Sequence, residues 1–210
     1  MPLFAKTLLL TIDVQNDFCP GGSLAVPDGD AVIAPLNALA AAFAERGGRV
    51  AATQDWHPKG HSSFASSPRP GDAQPVTDLW PDHCVQGEPG ADFHPGLDLG
   101  PVNLIVRKGF RRELDSYSAF FENDRVTPTG LEGWIRGLGI DTVIVGGLAT
   151  DYCVFHSAMD SQRLGFTTII AEDAVRGVGY PEGSVEKAVS GMRAAGVVFS
   201  DSRRLLGELS

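Results

Sequence analysis

Thr7-Leu8-Leu9-Leu10-Thr11-Ile12-Asp13-Val14 is an almost wholly apolar run that meets a single acid near its end. A short apolar run without polar alternation reads as a strand buried on both faces, the kind that parallel sheets contain. Working outward, the pattern repeats. Residues 49–53, 102–107, 142–146, 167–171 and 197–200 each read as a further short strand. Between them lie helical stretches. Asp30 precedes an alanine-rich segment with apolar residues at helical spacing over 32–46, stopped by Gly47-Gly48. Residues 129–138, 151–164 and 181–195 read as three more helices. Strands alternating with helices predict an α/β fold: a single-domain three-layer sandwich with a six-stranded, mainly parallel sheet and helices on both faces, Rossmann-like in plan. Neither repeat nor linker divides residues 1–210, so one domain is expected. A loop-rich insert rich in Pro, Gly, His and Ser occupies about 55–100, and the pattern leaves 65–78 and 86–100 as loops of unassigned course.

Composition narrows the function. A length of 210 residues, 43% hydrophobic and 20% charged, suits a globular protein with a full core. A formal charge of −9 argues against tracking a nucleic-acid backbone, which needs a basic face. No apolar run approaches the roughly 20 residues of a membrane span. The N-terminal stretch lacks a small-residue cleavage site and is interrupted by Asp13, so it reads as the first strand rather than a signal peptide. Three cysteines, an odd number, do not form a disulfide framework and point to a reducing, cytoplasmic location.

In an open parallel sheet, ligands bind beyond the carboxyl ends of the strands. Asp13 follows the first strand, Asp55 and His57 the second, and Lys108 the third. The fourth runs into Gly146-Gly147-Leu148-Ala149-Thr150-Asp151-Tyr152-Cys153. An acid, a lysine and a cysteine should therefore meet at one edge. Near a helix start, Cys153 should be favoured as a thiolate by amide N–H groups and the helix dipole, and a nearby Lys108 should lower its pKa further. The same N–H groups could hold an oxyanion. Taken singly, each residue has a bland explanation: a buried small thiol, a cap, a solvated charge. Asp55, His57, His61 and His83 form a second group. Asp-x-His at a strand end, with a further imidazole from a loop, offers ligands suited to zinc, iron or manganese.

These residues resemble the nicotinamidases, within the isochorismatase-like cysteine hydrolases. The likeness is carried by Ile12-Asp13-Val14-Gln15-Asn16-Asp17-Phe18, Thr53-Gln54-Asp55-Trp56-His57-Pro58 and His61-Ser62-Ser63-Phe64. It continues through Leu79-Trp80-Pro81-Asp82-His83-Cys84-Val85-Gln86-Gly87, Lys108-Gly109, Asp115-Ser116-Tyr117-Ser118-Ala119-Phe120 and Gly147-Leu148-Ala149-Thr150-Asp151-Tyr152-Cys153-Val154. The Asp, Lys and Cys blocks alone indicate the superfamily; the Trp-Pro-x-His-Cys block points to the narrower family. The resemblance implies Cys153 as nucleophile, Asp13 as general acid and base, and Lys108 as their electrostatic partner. It implies one divalent metal, zinc first and iron or manganese as alternatives, on Asp55, His57 and His83. For His61 it leaves both direct and water-mediated binding open. The backbone N–H groups of Ala149 and Cys153 are implied as an oxyanion hole, beside a Leu148–Ala149 peptide similar to one that is cis in the family. Phe18 and Trp80 would sandwich the substrate ring and Tyr117 would help to close the pocket.

The activity so implied is hydrolysis of nicotinamide, and of pyrazinamide, to the acid and ammonia through a cysteine thioester, in NAD salvage. Its partner would be a small-molecule amide, with no nucleic acid or membrane and with room for a homo-oligomer. Two rivals stand beside it. One is another superfamily amidase acting on a different small amide. The other is a non-catalytic metal- or nucleotide-binding module, but Gln15-Asn16-Asp17-Phe18 follows the first strand where a glycine-rich phosphate loop belongs.

Overall fold

The computed structural model describes residues 3–67 and 79–208. Among these residues six strands form one sheet: β1 (Thr7–Ile12), β2 (Arg49–Asp55), β3 (Leu104–Lys108), β4 (Thr142–Leu148), β5 (Thr167–Arg176) and β6 (Val198–Ser200). Their order is β3-β2-β1-β4-β5-β6, and every pair is parallel. The expected "mainly parallel" sheet is thus wholly parallel. Helices α1 (Ile33–Glu45), α2 (Leu131–Gly137), α3 (Phe155–Arg163), α4 (Ser184–Ala194) and α5 (Ser202–Glu208) cover it.

The period-2 geometry of β1 explains the three layers. Leu9 joins Val50, Ile144 and Ala171 beneath Leu36, Leu39 and Phe43 of α1 and Leu205 of α5. Leu8, Leu10 and Ile12 point the other way, with Val143, Val145 and Ile170, onto Leu131 and Ile135 of α2, Ala158 of α3 and Met192 of α4. Both faces are dry, which is why the strand reads as continuous apolar sequence.

Differences from the sequence reading have local causes. β5 runs to Arg176, past the expected end at 171: Glu172 and Asp173 interrupt the apolar pattern, and pairing with β4 resumes beyond them at Val175 and Arg176. The β4–β5 register shifts between Val145 and Gly147, another feature that periodicity does not carry. α5 was not expected; Ser202 starts it, with its N–H and hydroxyl bonded to Asp173 of β5 at 2.8 and 2.6 Å. The predicted helix over 151–164 begins instead as one π-helical turn, Thr150–Val154, before α3.

Strand order reverses between β1 and β4, and the crevice beyond their carboxyl ends is where doubly wound sheets bind ligands. Gly147 lets the two strands close there: its φ is +118°, and a Cβ would lie 2.1 Å from the Ile12 carbonyl oxygen. Of residues 65–78, those from 68 onward lie outside the described residues. Among the described residues, no helix is long and apolar enough to cross a membrane.

Candidate active site

Asp13 leaves β1 in a left-handed conformation (φ 47°), uncommon for a residue with a side chain, with its backbone N–H bonded to Thr53 Oγ1 at 3.2 Å. The Thr53 hydroxyl donates to Asp13 Oδ1 at 2.6 Å. Lys108, the last residue of β3, lies wholly buried beside it, with Nζ 2.8 Å from Asp13 Oδ2. The same ammonium contacts Asp55 Oδ1, donates to the Ser116 carbonyl at 3.0 Å and lies 3.4 Å from Cys153 Sγ. Three strand ends and the π-helical turn after β4 thus bring Asp13, Asp55, Lys108 and Cys153 into one dry cluster.

One ammonium faces two carboxylates and a thiol, and this decides their protonation. Burial disfavours a charged Lys108, but Asp13, Asp55 and Cys153 outweigh it and hold the ammonium pKa well above its ordinary value. Burial raises Asp13 above the usual carboxylate range; Lys108 opposes this and the Asp55 charge adds to it. Cys153 is pushed well above an ordinary thiol by burial, against Lys108 and with Asp13 and Asp55. This corrects the sequence expectation of a resting thiolate: sequence showed the lysine but not that two buried acids share it. Cys153 rests as a thiol beside a carboxylate whose proton affinity is itself raised.

Asp55 joins this cluster to a second one. Its other oxygen, Oδ2, lies 3.6 Å from His57 Nε2, and Asp55, His57 and His83 offer donor atoms all within 4.8 Å of one another. Burial opposes ionisation of Asp55, but Lys108 and His57 overcome it and hold the carboxyl below its ordinary range. His57 Nδ1 faces the Gly109 carbonyl at 2.8 Å and His83 Nδ1 the Pro81 carbonyl at 2.7 Å. Each carbonyl can only accept, so each ring donates from Nδ1 and, when neutral, keeps Nε2 free as a ligand. Burial and the neighbouring His57 bring His83 down to about 4, leaving it neutral near pH 7. Burial disfavours a charged His57, but Asp55 outweighs it and raises the pKa. Two imidazoles and a carboxylate at this spacing fit a divalent ion. His61 stands apart from this trio. Its ring stacks on His57 with centroids 4.2 Å apart, its Nδ1 pairs with Ser63 Oγ at 2.7 Å, and its donor atoms group with His57 and Asp115.

A narrow cavity opens over the thiol, lined by Phe18, Trp80, His83, Tyr117, Ala149 and Cys153 together with Leu24, Val26, Asp55, Tyr152 and Val178. Trp80 donates its indole N–H to Tyr117 Oη at 3.1 Å, and Tyr152 packs edge-on against Trp80 at 4.9 Å. The Leu148–Ala149 peptide is cis. The structure therefore gathers the expected catalytic, ring-binding and metal-type side chains around one crevice. Sequence reasoning missed Thr53, Asp115, Tyr152, Leu24, Val26 and Val178. Thr53, Asp115 and Tyr152 lie inside the motif blocks and could have been found there; the other three carry no chemical signal beyond being apolar. Gln15, also within a block, clamps the end of β2: its side chain donates to the Asp55 carbonyl and accepts from the Asp55 N–H, both at 2.8 Å.

A doubly wound parallel sheet with a thiol, an ammonium and two carboxylates at its switch point is the frame of an α/β cysteine hydrolase. Residues 7–204 match the family model of the isochorismatase domain, and the chain belongs to that family. It is 44% identical over 205 residues to a nicotinamidase from Acinetobacter baylyi, covering 94% of each chain. Its fold superimposes with a TM-score of 0.85 on PnC1 from L. infantum, solved in complex with nicotinate; identity is 38%, with 95% of this chain and 94% of that one covered. The TM-score is 0.80 against the pyrazinamidase of Pyrococcus horikoshii in complex with zinc, at 36% identity and with 93% and 99% covered.

Proposed function

We propose that this chain is an amidohydrolase that converts nicotinamide to nicotinate and ammonia, and accepts pyrazinamide, its reaction carried by Cys153. The observation that carries the reading is the meeting of buried Asp13 and Lys108 with Cys153, which lines an aromatic-walled cavity together with Asp55 and His83 of the Asp55, His57 and His83 cluster. The likeness to a nicotinamidase over nearly the whole chain supports the same substrate.

Asp13 takes the Cys153 proton as Sγ attacks the carboxamide carbon. The raised proton affinity of Asp13 suits it to accept from a thiol that is itself reluctant to ionise. Lys108 stays charged throughout and holds both acids in place. The N–H groups of Ala149 and Cys153 hold the tetrahedral oxyanion. When it collapses, the C–N bond breaks, Asp13 gives its proton to the departing nitrogen, and ammonia leaves a Cys153 thioester. Asp13 then takes a proton from water, which attacks the thioester carbon; nicotinate departs and the proton returns to the Cys153 sulfur. Asp55, His57 and His83 would hold the metal, with His61 beside them. A divalent ion held there would supply a Lewis acid beside the substrate ring. Zinc is the ion of choice, on the donor set and on the zinc complex of the Pyrococcus relative. Phe18 and Trp80 sandwich the ring, and Tyr117 closes the pocket.

Residues 1–210 act as one domain, with 55–100 as its metal-binding insert. Its location is cytoplasmic and its product enters NAD salvage; its three cysteines, all free, suit a reducing compartment. An ammonia-release assay on the metal-loaded chain tests the activity. Nicotinate and ammonia should appear in equal amounts from nicotinamide, with pyrazinamide as a second substrate. Absence of release from both would overturn the reading.

A further inference from the structure

Tyr117 belongs to residues 115–118, which form neither helix nor strand, yet its hydroxyl fixes the Trp80 indole in the cavity wall. Two groups hold it. Its backbone N–H is bonded to Asn123 Oδ1 at 3.0 Å. Its ring is stacked nearly parallel on His156, with centroids 5.3 Å apart and planes inclined by 16°. His156 lies on α3, three residues beyond Cys153.

The His156 ring is itself locked. Arg125 Nη2 lies 2.8 Å from its Nδ1, and a guanidinium can only donate, so Nδ1 accepts and the imidazole is neutral with its proton on Nε2. The same guanidinium makes two bonds, at 2.9 and 3.2 Å, to Asp160, a buried acid one turn further along α3. Arg125 therefore clamps two residues of one helix face at once, which sets the plane of the imidazole. Phe155 meets the same ring edge-on at 5.2 Å.

We infer that His156 is a positioning residue for the substrate pocket: its Arg125-locked ring carries Tyr117, and through Tyr117 the Trp80 wall, in fixed register with the thiol of Cys153. The inference rests on the aromatic substrate proposed above. α3 continues directly from the π-helical turn that bears Cys153, so one rigid element sets both the nucleophile and the wall that holds the ring. His156 touches no reacting atom, and its effect should appear in substrate binding rather than in the chemical step.

The test uses the metal-loaded full chain carrying His156→Ala, His156→Phe and Arg125→Gln. His156→Ala should raise the KM for nicotinamide about fivefold, the worth of one aromatic stack, with kcat within twofold. His156→Phe keeps a flat ring without the Arg125 bond and should bring KM back to within about twofold of the unaltered chain. Arg125→Gln should fall between the two. Acrylamide quenching of tryptophan fluorescence in a chain whose other tryptophans are replaced (Trp56→Phe, Trp134→Phe) reads Trp80 without substrate. Quenching should increase in His156→Ala and be restored in His156→Phe. A lower melting temperature with unchanged KM and unchanged quenching would overturn the inference, as would a failure of phenylalanine to rescue. If the unaltered chain turns over no nicotinamide, the substrate reading falls, and the quenching result alone decides the role of His156.

Discussion

Gly109→Ala should weaken the proposed metal site without replacing any of its residues. Gly109 follows Lys108 with φ +62°, and a Cβ there would lie 2.4 Å from Cε1 and 2.7 Å from Nδ1 of His57. Ordinary contact begins at 3.4 Å, so ring and backbone must separate by about 1 Å. The bond from His57 Nδ1 to the Gly109 carbonyl, 2.8 Å long, would be lost or strained by that shift. An outer partner of a metal-binding histidine is worth about 10- to 100-fold in affinity. The left-handed backbone adds roughly 1–2 kcal/mol against any residue with a Cβ. With the steric clash, the melting temperature should fall by roughly 3–8 °C. Gly133→Ala is the matched control: it lies within α2, nothing stands within 4 Å of its added Cβ, and it should be neutral or stabilising by up to about 1 kcal/mol. Zinc affinity, measured by competition with a chromophoric chelator, and thermal melts of the metal-free proteins check both variants. Affinity within twofold of the unaltered chain in Gly109→Ala would refute the reasoning.

Further outcomes follow from the buried charges. Lys108→Met leaves Asp13 and Asp55 buried without their cation; breaking such a pair costs about 3–5 kcal/mol, so the melting temperature should drop by roughly 10 °C, and an unchanged melt would contradict the ion cluster. Asp13→Asn should remove the base for thiol ionisation and cut acylation by at least about 100-fold in rapid-quench experiments, whereas a normal rate of thioester formation would exclude Asp13 from that step. His156 has its pKa brought down to about 4 by burial and Arg125, so between pH 6.5 and about 4 the unfolded chain binds the proton that the folded chain refuses. The charges of Arg163 and Lys108 act in the same direction as Arg125, and Asp160 opposes them. Stability should therefore fall as pH drops through this window, by at most about 3 kcal/mol more in the unaltered chain than in His156→Phe. Equal losses in the two proteins would contradict it.

The strands were legible because both faces of the sheet are covered, which turns Leu8-Leu9-Leu10 and Val143-Ile144-Val145 into unbroken apolar sequence. Asp13, Asp55 and Lys108 were legible because each sits at the end of such a run, where a parallel sheet presents its ligand-binding edge. Less visible were features that depend on contacts across the chain. Nothing local in Ser202 announces α5, whose first turn is held by Asp173 from β5. The π-helical turn at Cys153 has the same composition as the first turn of a helix. The thiol's high pKa could not be read from the lysine alone, because it depends on how many carboxylates share that lysine. His156 was passed over for a similar reason: a lone histidine on a helix acquires its role from Arg125 and Tyr117, distant in sequence and unremarkable there.

Trapping the reaction of the metal-loaded chain with nicotinamide in acid within its first turnovers, followed by peptide mass mapping, tests the nucleophile most directly. The peptide bearing Cys153 should carry the added mass of one nicotinoyl group, which hydroxylamine removes, and Cys153→Ala should bind zinc yet show neither adduct nor turnover. Nicotinate released by Cys153→Ala at the unaltered rate, or an adduct on any other residue, would contradict the account.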